Sequence, residues 1–138
     1  MVNALKTRAD IQGFLEAVVQ WAAGQADIQA AALVGSYARD AAREDSDIDL
    51  VLLMDDPARY LHDTAWVGRF GAMERQQVED YGKVTSLRLW YRNGPEVEFG
   101  LTTPDWAAPP LDEGTRRVIT DGMVVLQEKL PLLSPLSK

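Results

Sequence analysis

Cysteine is absent from the 138 residues, and histidine occurs once, as His62. Disulfides and the Cys/His clusters of structural zinc sites are thereby excluded, and a chain without cysteine fits a reducing cytoplasm. A lone histidine with no partner of its kind reads as a surface or half-buried residue. No apolar run approaches the ~20 residues of a membrane-crossing helix. Asn3, Lys6, Arg8 and Asp10 interrupt the N-terminus, so no signal peptide and no membrane association are expected. Cations are scarce as well: 14 Lys and Arg against 21 Asp and Glu give a formal net charge of −7. With no basic cluster, a broad electrostatic grip on nucleic acid is not expected. The composition that remains, 46% hydrophobic and 25% charged, suits one compact globular domain and is too short for two.

The most informative stretch is AALVGSYARDAAREDSDIDLVLLM, from Ala31 to Met54. The apolar runs Ala31 to Gly35 and Ile48 to Met54 read as buried strands, expected over about 29–34 and 47–54. Between them lie Gly35-Ser36, a segment over 37–42 suited to a short helix, and the acidic cluster Glu44, Asp45, Asp47 and Asp49. Gly35 permits close backbone approach to a ligand. Ser36 is suited to begin a helix whose free N–H groups and dipole favour an anion, and a phosphate fits there. Asp47 and Asp49 project from one face of a strand, about 7 Å apart along the chain. Two such charges repel unless a cation lies between them, and hard oxygen ligands suit magnesium. A phosphate cradle beside a metal-binding carboxylate pair points to nucleotide chemistry, in which metal ions neutralise a triphosphate and stabilise an in-line displacement. An EF-hand is excluded, because a loop starting at Asp45 would need glycine and glutamate where the chain has Leu50 and Asp56. A merely solvated acidic turn leaves the Gly-Ser pair unexplained.

Gly35-Ser36-Tyr37-Ala38-Arg39, followed by Ser46-Asp47-Ile48-Asp49-Leu50, resembles the paired motif of the DNA polymerase β-like nucleotidyltransferases, particularly their small bacterial members. The resemblance implies an α/β (α+β) fold, a mixed β-sheet with flanking helices. It implies that Gly35, Ser36 and Arg39 contact the triphosphate of ATP and that Asp47 and Asp49 hold magnesium, as two ions in the family's manner. A third carboxylate comes, in that family, from the strand beside the D-x-D strand. Glu98 in Val97-Glu98-Phe99 is the first candidate and Glu96, on the same face, the second. A glutamate there resembles the antibiotic-modifying branch, where it acts as general base for an acceptor hydroxyl. Asp40 departs from the pattern, since many relatives carry glycine after the arginine.

Elsewhere the chain supplies scaffold. Ile11, Phe14, Leu15, Val18, Val19 and Ala22 recur at helical spacing, predicting an amphipathic helix over about 8–24. Pro57 suits the first turn of a short helix over 57–61, followed by a second element or loop over 64–70. Strands are expected over about 77–81, 84–91 and 96–101, with Asn93-Gly94 marking a hairpin turn. Trp90 and Trp106 are expected in the core rather than against a nucleobase. A helix over 113–120 and a last strand over 123–126 follow. Residues 1–128 are expected to form the nucleotidyltransferase domain and 129–138 a tail that is loose or docks on a partner.

The resemblance thus implies magnesium-dependent transfer of AMP from ATP to a hydroxyl of a small molecule or protein, with release of pyrophosphate. The chain shows no acceptor-binding domain, so the acceptor site is expected from a second copy as a homodimer, from another protein, or from the region 60–70. The alternative is an antitoxin-like binding module that neutralises a helical partner protein. Such a module would not need Asp47 and Asp49.

Overall fold

A computed structural model describes residues 8–43, 46–92 and 96–136. Glu44, Asp45 and the Asn93-Gly94-Pro95 turn lie outside the described residues, so the hairpin expected at Asn-Gly is not described. The elements in order are helix α1 (Arg8–Ala23), strands β1 (Ile28–Val34) and β2 (Ile48–Met54), and helix α2 (Pro57–His62). Strands β3 (Met73–Asp80), β4 (Thr85–Tyr91) and β5 (Glu96–Thr102), helix α3 (Glu113–Asp121) and strand β6 (Met123–Glu128) complete the set. Short 3₁₀ segments at Ala65–Phe70, Pro104–Ala107 and Ser134–Leu136 join them.

The six strands form one mixed sheet in the order β3-β4-β5-β2-β1-β6. Only β2 and β5 run parallel, and the other neighbours are antiparallel. Because side chains alternate along a strand, each strand splits between two layers. Ile48, Leu50, Leu52 and Met54 of β2 and Val97, Phe99 and Leu101 of β5 enter one hydrophobic layer with Phe14, Leu15 and Val18 of α1. Val51 and Leu53 point the other way, into a smaller layer with Trp106, Leu133 and, from α3, Val118 and Ile119. α3 covers only part of that second face. Over β3, β4 and β5 the face carries polar side chains, and there the site lies.

Three local expectations are corrected. No helix forms over 37–42. A single hydrogen-bonded turn replaces it, with Ala38 N donating to Gly35 O at 3.0 Å and Ala41 N to Ser36 O at 2.9 Å. The chain then turns left-handed at Asp40, φ 55°, which stops helix propagation. Aspartate is one of the few residues other than glycine that visits this region, which accounts for the exchange at this position. Trp90 is half-exposed, with Arg75 over its ring at 4.3 Å, whereas Trp106 is core, 3% exposed. The region 60–70 cannot supply the acceptor site. Tyr60, Trp66, Val67 and Phe70 pack into the α1 layer, where Trp66 stacks on Trp21 at 4.9 Å, on the opposite face from Asp49.

Nor is the segment after β6 loose over its described part. Leu133 is fully buried in the second layer, Glu128 Oε2 accepts from Leu133 N at 2.9 Å and Ser134 N at 3.2 Å, and Lys129 Nζ donates to Ile28 O at 2.6 Å. Leu133→Ala should therefore cost about 2–5 kcal/mol in denaturant unfolding, the usual range for a buried leucine. An unchanged midpoint would show the segment detached in solution. No helix among the described residues is long and apolar enough to cross a membrane.

Candidate active site

Asp49 sits one step inside the start of β2, and the register of the sheet gives it two neighbours. On the antiparallel side it pairs with Val34, the last residue before the Gly35 turn. On the parallel side it pairs with Glu98. These pairings gather carboxylate oxygens of Asp47, Asp49 and Glu98 within 4.8 Å of one another, all three residues half-buried. Glu96 does not join them. It is held by Arg88, which donates to Glu96 Oε2 through Nη1.

The Gly35 turn closes over this group. Gly35 has φ 75°, and a Cβ placed on it would overlap Asp49 Oδ2, closer than any carbon–oxygen contact allows. Glycine is thus required here both for its backbone and for its missing side chain. Ser36 lies on the same turn, half-buried, but does not line the adjacent cavity. Arg39 does line it. Arg39 is exposed, with its backbone against Gly122 at the end of α3, and forms no ion pair among the described residues.

The cavity has a volume of about 700 Å³, within the ~300–1,000 Å³ usual for small-molecule and cofactor sites. Asp47, Asp49 and Glu98 line one side of it, and Val51, Val84, Trp106 and Val118 line an apolar side beneath α3. The start of α3 closes the cavity. There Asp112 caps the helix by accepting from Thr115 N at 2.8 Å and faces Lys83 across 3.6 Å. Gly100, on the same strand face as Glu98, keeps the floor low, since a Cβ there would meet Val84 at 3.0 Å.

The electrostatics follow from the crowding. Burial, then the charges of Asp47 and Glu98 and a hydrogen bond shared with Glu98, push the Asp49 carboxyl up to about 7, against a weaker opposing pull from Arg88. Burial and the nearby Asp47 also raise the Tyr37 phenol. Arg88 loses some proton affinity to burial, but its bond to Glu96 and the charges of Glu98, Glu96 and Glu79 more than offset that and hold it above the ordinary arginine value. Three hard oxygens that repel one another at this range form a donor set suited to a divalent cation.

A model of the streptomycin adenylyltransferase family matches residues 9–103, from α1 through β5. The chain belongs to that family. No curated protein matches it in sequence. Among solved structures it is similar to an aminoglycoside 6-adenyltransferase from Bacillus subtilis, at 12% identity and TM-score 0.59, over 87% of this chain and 41% of that one. The chain therefore spans about two fifths of that protein's length. It also matches a cytoplasmic RNA terminal U-transferase (18% identity, TM-score 0.45, 66% of this chain and 28% of that one). A third match is the non-canonical poly(A) polymerase complex GLD-2–GLD-3 (17%, 0.46, 69% and 33%). The family match and the fold agree with the paired motif: the chain has the mixed-sheet fold of the polymerase β-like nucleotidyltransferases.

The family match ends at residue 103, before α3. The cavity wall from Asp112 to Asp121 lies beyond it and was not foreseen as part of a site. Arg88 was also missed. Its signal was present in the two-faced strand Ser86, Arg88, Trp90, but its place opposite Glu98 depends on the β4–β5 register.

Proposed function

We propose that this domain is a magnesium-dependent nucleotidyltransferase that moves AMP from ATP to a hydroxyl of an acceptor and releases pyrophosphate. The observation that carries the reading is the convergence of Asp47, Asp49 and Glu98 within 4.8 Å at a cavity whose rim also holds Gly35 and Arg39. The three carboxylates fit magnesium by donor type and spacing. When bound, the metal neutralises the triphosphate and the pyrophosphate leaving group. Gly35 brings the backbone close to the triphosphate, and Ser36, on the same turn but outside the cavity lining, is assigned to it by the motif alone. Arg39, exposed and without an ion pair among the described residues, supplies a guanidinium to its oxygens. Glu98 accepts the acceptor's hydroxyl proton as the oxygen attacks the α-phosphorus in line.

The adenyltransferase neighbour is named for an aminoglycoside, so aminoglycosides are the first acceptors to test. The remainder of an acceptor site would come from outside this domain. The test is incubation of the full chain with labelled ATP and magnesium against aminoglycosides, lincosamides and co-purifying proteins. The expected result is an acceptor heavier by one nucleotidyl group and one pyrophosphate per transfer. Absence of both with every acceptor, and of pyrophosphate exchange into ATP, would overturn the proposal.

A further inference from the structure

Asp47, Glu79, Glu96 and Glu98 all lie within ion-pair distance of a single guanidinium, that of Arg88. The four contacts are of two kinds. On the outer side they are hydrogen bonds, from Nε to Glu79 Oε1 at 3.3 Å and from Nη1 to Glu96 Oε2. On the inner side they are charge contacts only, Nη2 to Glu98 Oε2 at 3.5 Å and Nη1 to Asp47 Oδ2 at 4.0 Å. The outer anchor is itself braced, because Glu79 also accepts from Gln77 Nε2 at 2.9 Å and from the Tyr81 hydroxyl at 2.7 Å. A cation arriving among Asp47, Asp49 and Glu98 therefore breaks none of the hydrogen bonds that hold Arg88.

We propose that Arg88 is a built-in counter-ion that competes with the metal for Asp47 and Glu98, while Glu79 and Glu96 weaken that competition by holding the guanidinium outward. The inference rests on the proposed metal centre and adds a determinant of its affinity. Without a metal, Arg88 supplies the charge that two of the three carboxylates need. A fixed positive charge a few ångströms away makes divalent cations alone bind weakly, and the negative charge of a nucleotide offsets that penalty. Metal and nucleotide binding are thereby coupled. Arg88 is a positioning residue in this account, since it acts through the carboxylates.

The test is calorimetric titration of Mn²⁺, without nucleotide, into the full chain. Arg88→Gln should bind Mn²⁺ at least about tenfold more tightly than the unsubstituted protein, a ratio that one unit charge acting on a divalent ion a few ångströms away reaches even with the dielectric of water. Glu96→Gln and Glu79→Gln keep Arg88 but loosen its outer anchor, and each should bind Mn²⁺ about threefold or more weakly. Removing a carboxylate also lowers the local negative charge, so the double variant is decisive. In the Arg88→Gln background, Glu96→Gln should cost clearly less affinity than in the unsubstituted protein, because the part of its effect that runs through Arg88 is gone. An equal loss in both backgrounds overturns the proposal, as does unchanged or weakened binding by a folded Arg88→Gln. If Arg88→Gln does not fold, unchanged affinity in both anchor variants overturns it. If the unsubstituted chain binds no Mn²⁺ with or without ATP, the metal centre itself fails, and this inference falls with it.

Discussion

Asp49→Asn should lower nucleotidyl transfer by at least about a hundredfold, the scale of losing a preorganised charge at a reacting centre, and should at the same time stabilise the metal-free protein near neutral pH. The two effects share one cause. Asp49 is half-buried between Asp47 and Glu98, and its carboxyl is pushed up to about 7 from an ordinary 3.8. A carboxyl whose folded proton affinity exceeds the unfolded one contributes stability that is complete below the unfolded value and is lost as pH rises through the folded one. Metal-free protein should therefore lose stability between about pH 4 and about pH 7, and asparagine, nearly the same shape without the charge, should remove much of that slope. Thermal unfolding in chelator across this range, beside a transfer assay, checks both halves. A variant that keeps full transfer would remove Asp49 from the centre. A variant with an unaltered pH slope would mean the three carboxylates are not packed together in solution.

The second large effect is expected from Gly35→Ala. At φ 75° any L-residue costs roughly 1–2 kcal/mol, and here the new methyl group would also drive into Asp49 Oδ2. Both stability and transfer should fall, transfer by about a hundredfold or more because the displaced carboxylate is the one Asp49→Asn removes. Gly82 provides the control. It has a similar φ of 84° in the β3–β4 turn, but nothing lies within 4 Å of where its Cβ would be. Gly82→Ala should show the backbone cost alone and retain transfer. Equal transfer activity in the two variants would mean that the Gly35 turn does not abut the reacting carboxylates.

Much of this architecture is local and was legible in the chain. The helix over 8–24, the apolar strands expected from about Gln29 and from about Asp47, and the two-faced strand at 85–91 announce themselves through periodicity, because burial on one side imposes a period of 3.6 or 2 residues. The pairing of Gly35-Ser36 with Asp47-Ile48-Asp49 is likewise a short-range pattern. Two features misled by the same locality. Tyr37 to Ala42 has helix-forming composition, yet the positive φ at Asp40 limits it to one turn. Trp90 looks like core by residue type, yet its strand face looks away from α1, over a part of the sheet that no helix among the described residues covers.

The sequence by itself determined which residues were chemically equipped: a glycine able to touch a ligand, an arginine for phosphate, and acidic side chains at the mouth of a strand. Only the tertiary structure shows that Glu98 and not Glu96 lies beside Asp49, because that is the register of β2 against β5, two strands joined by a long crossover that local pattern does not constrain. The same pairing set Arg88 among four carboxylates, and the packing of α3 over the sheet turned a polar strand face into a cavity. Composition and spacing act over a few residues. A charge centre is made by contacts across dozens of residues, and those exist only once the layers have packed.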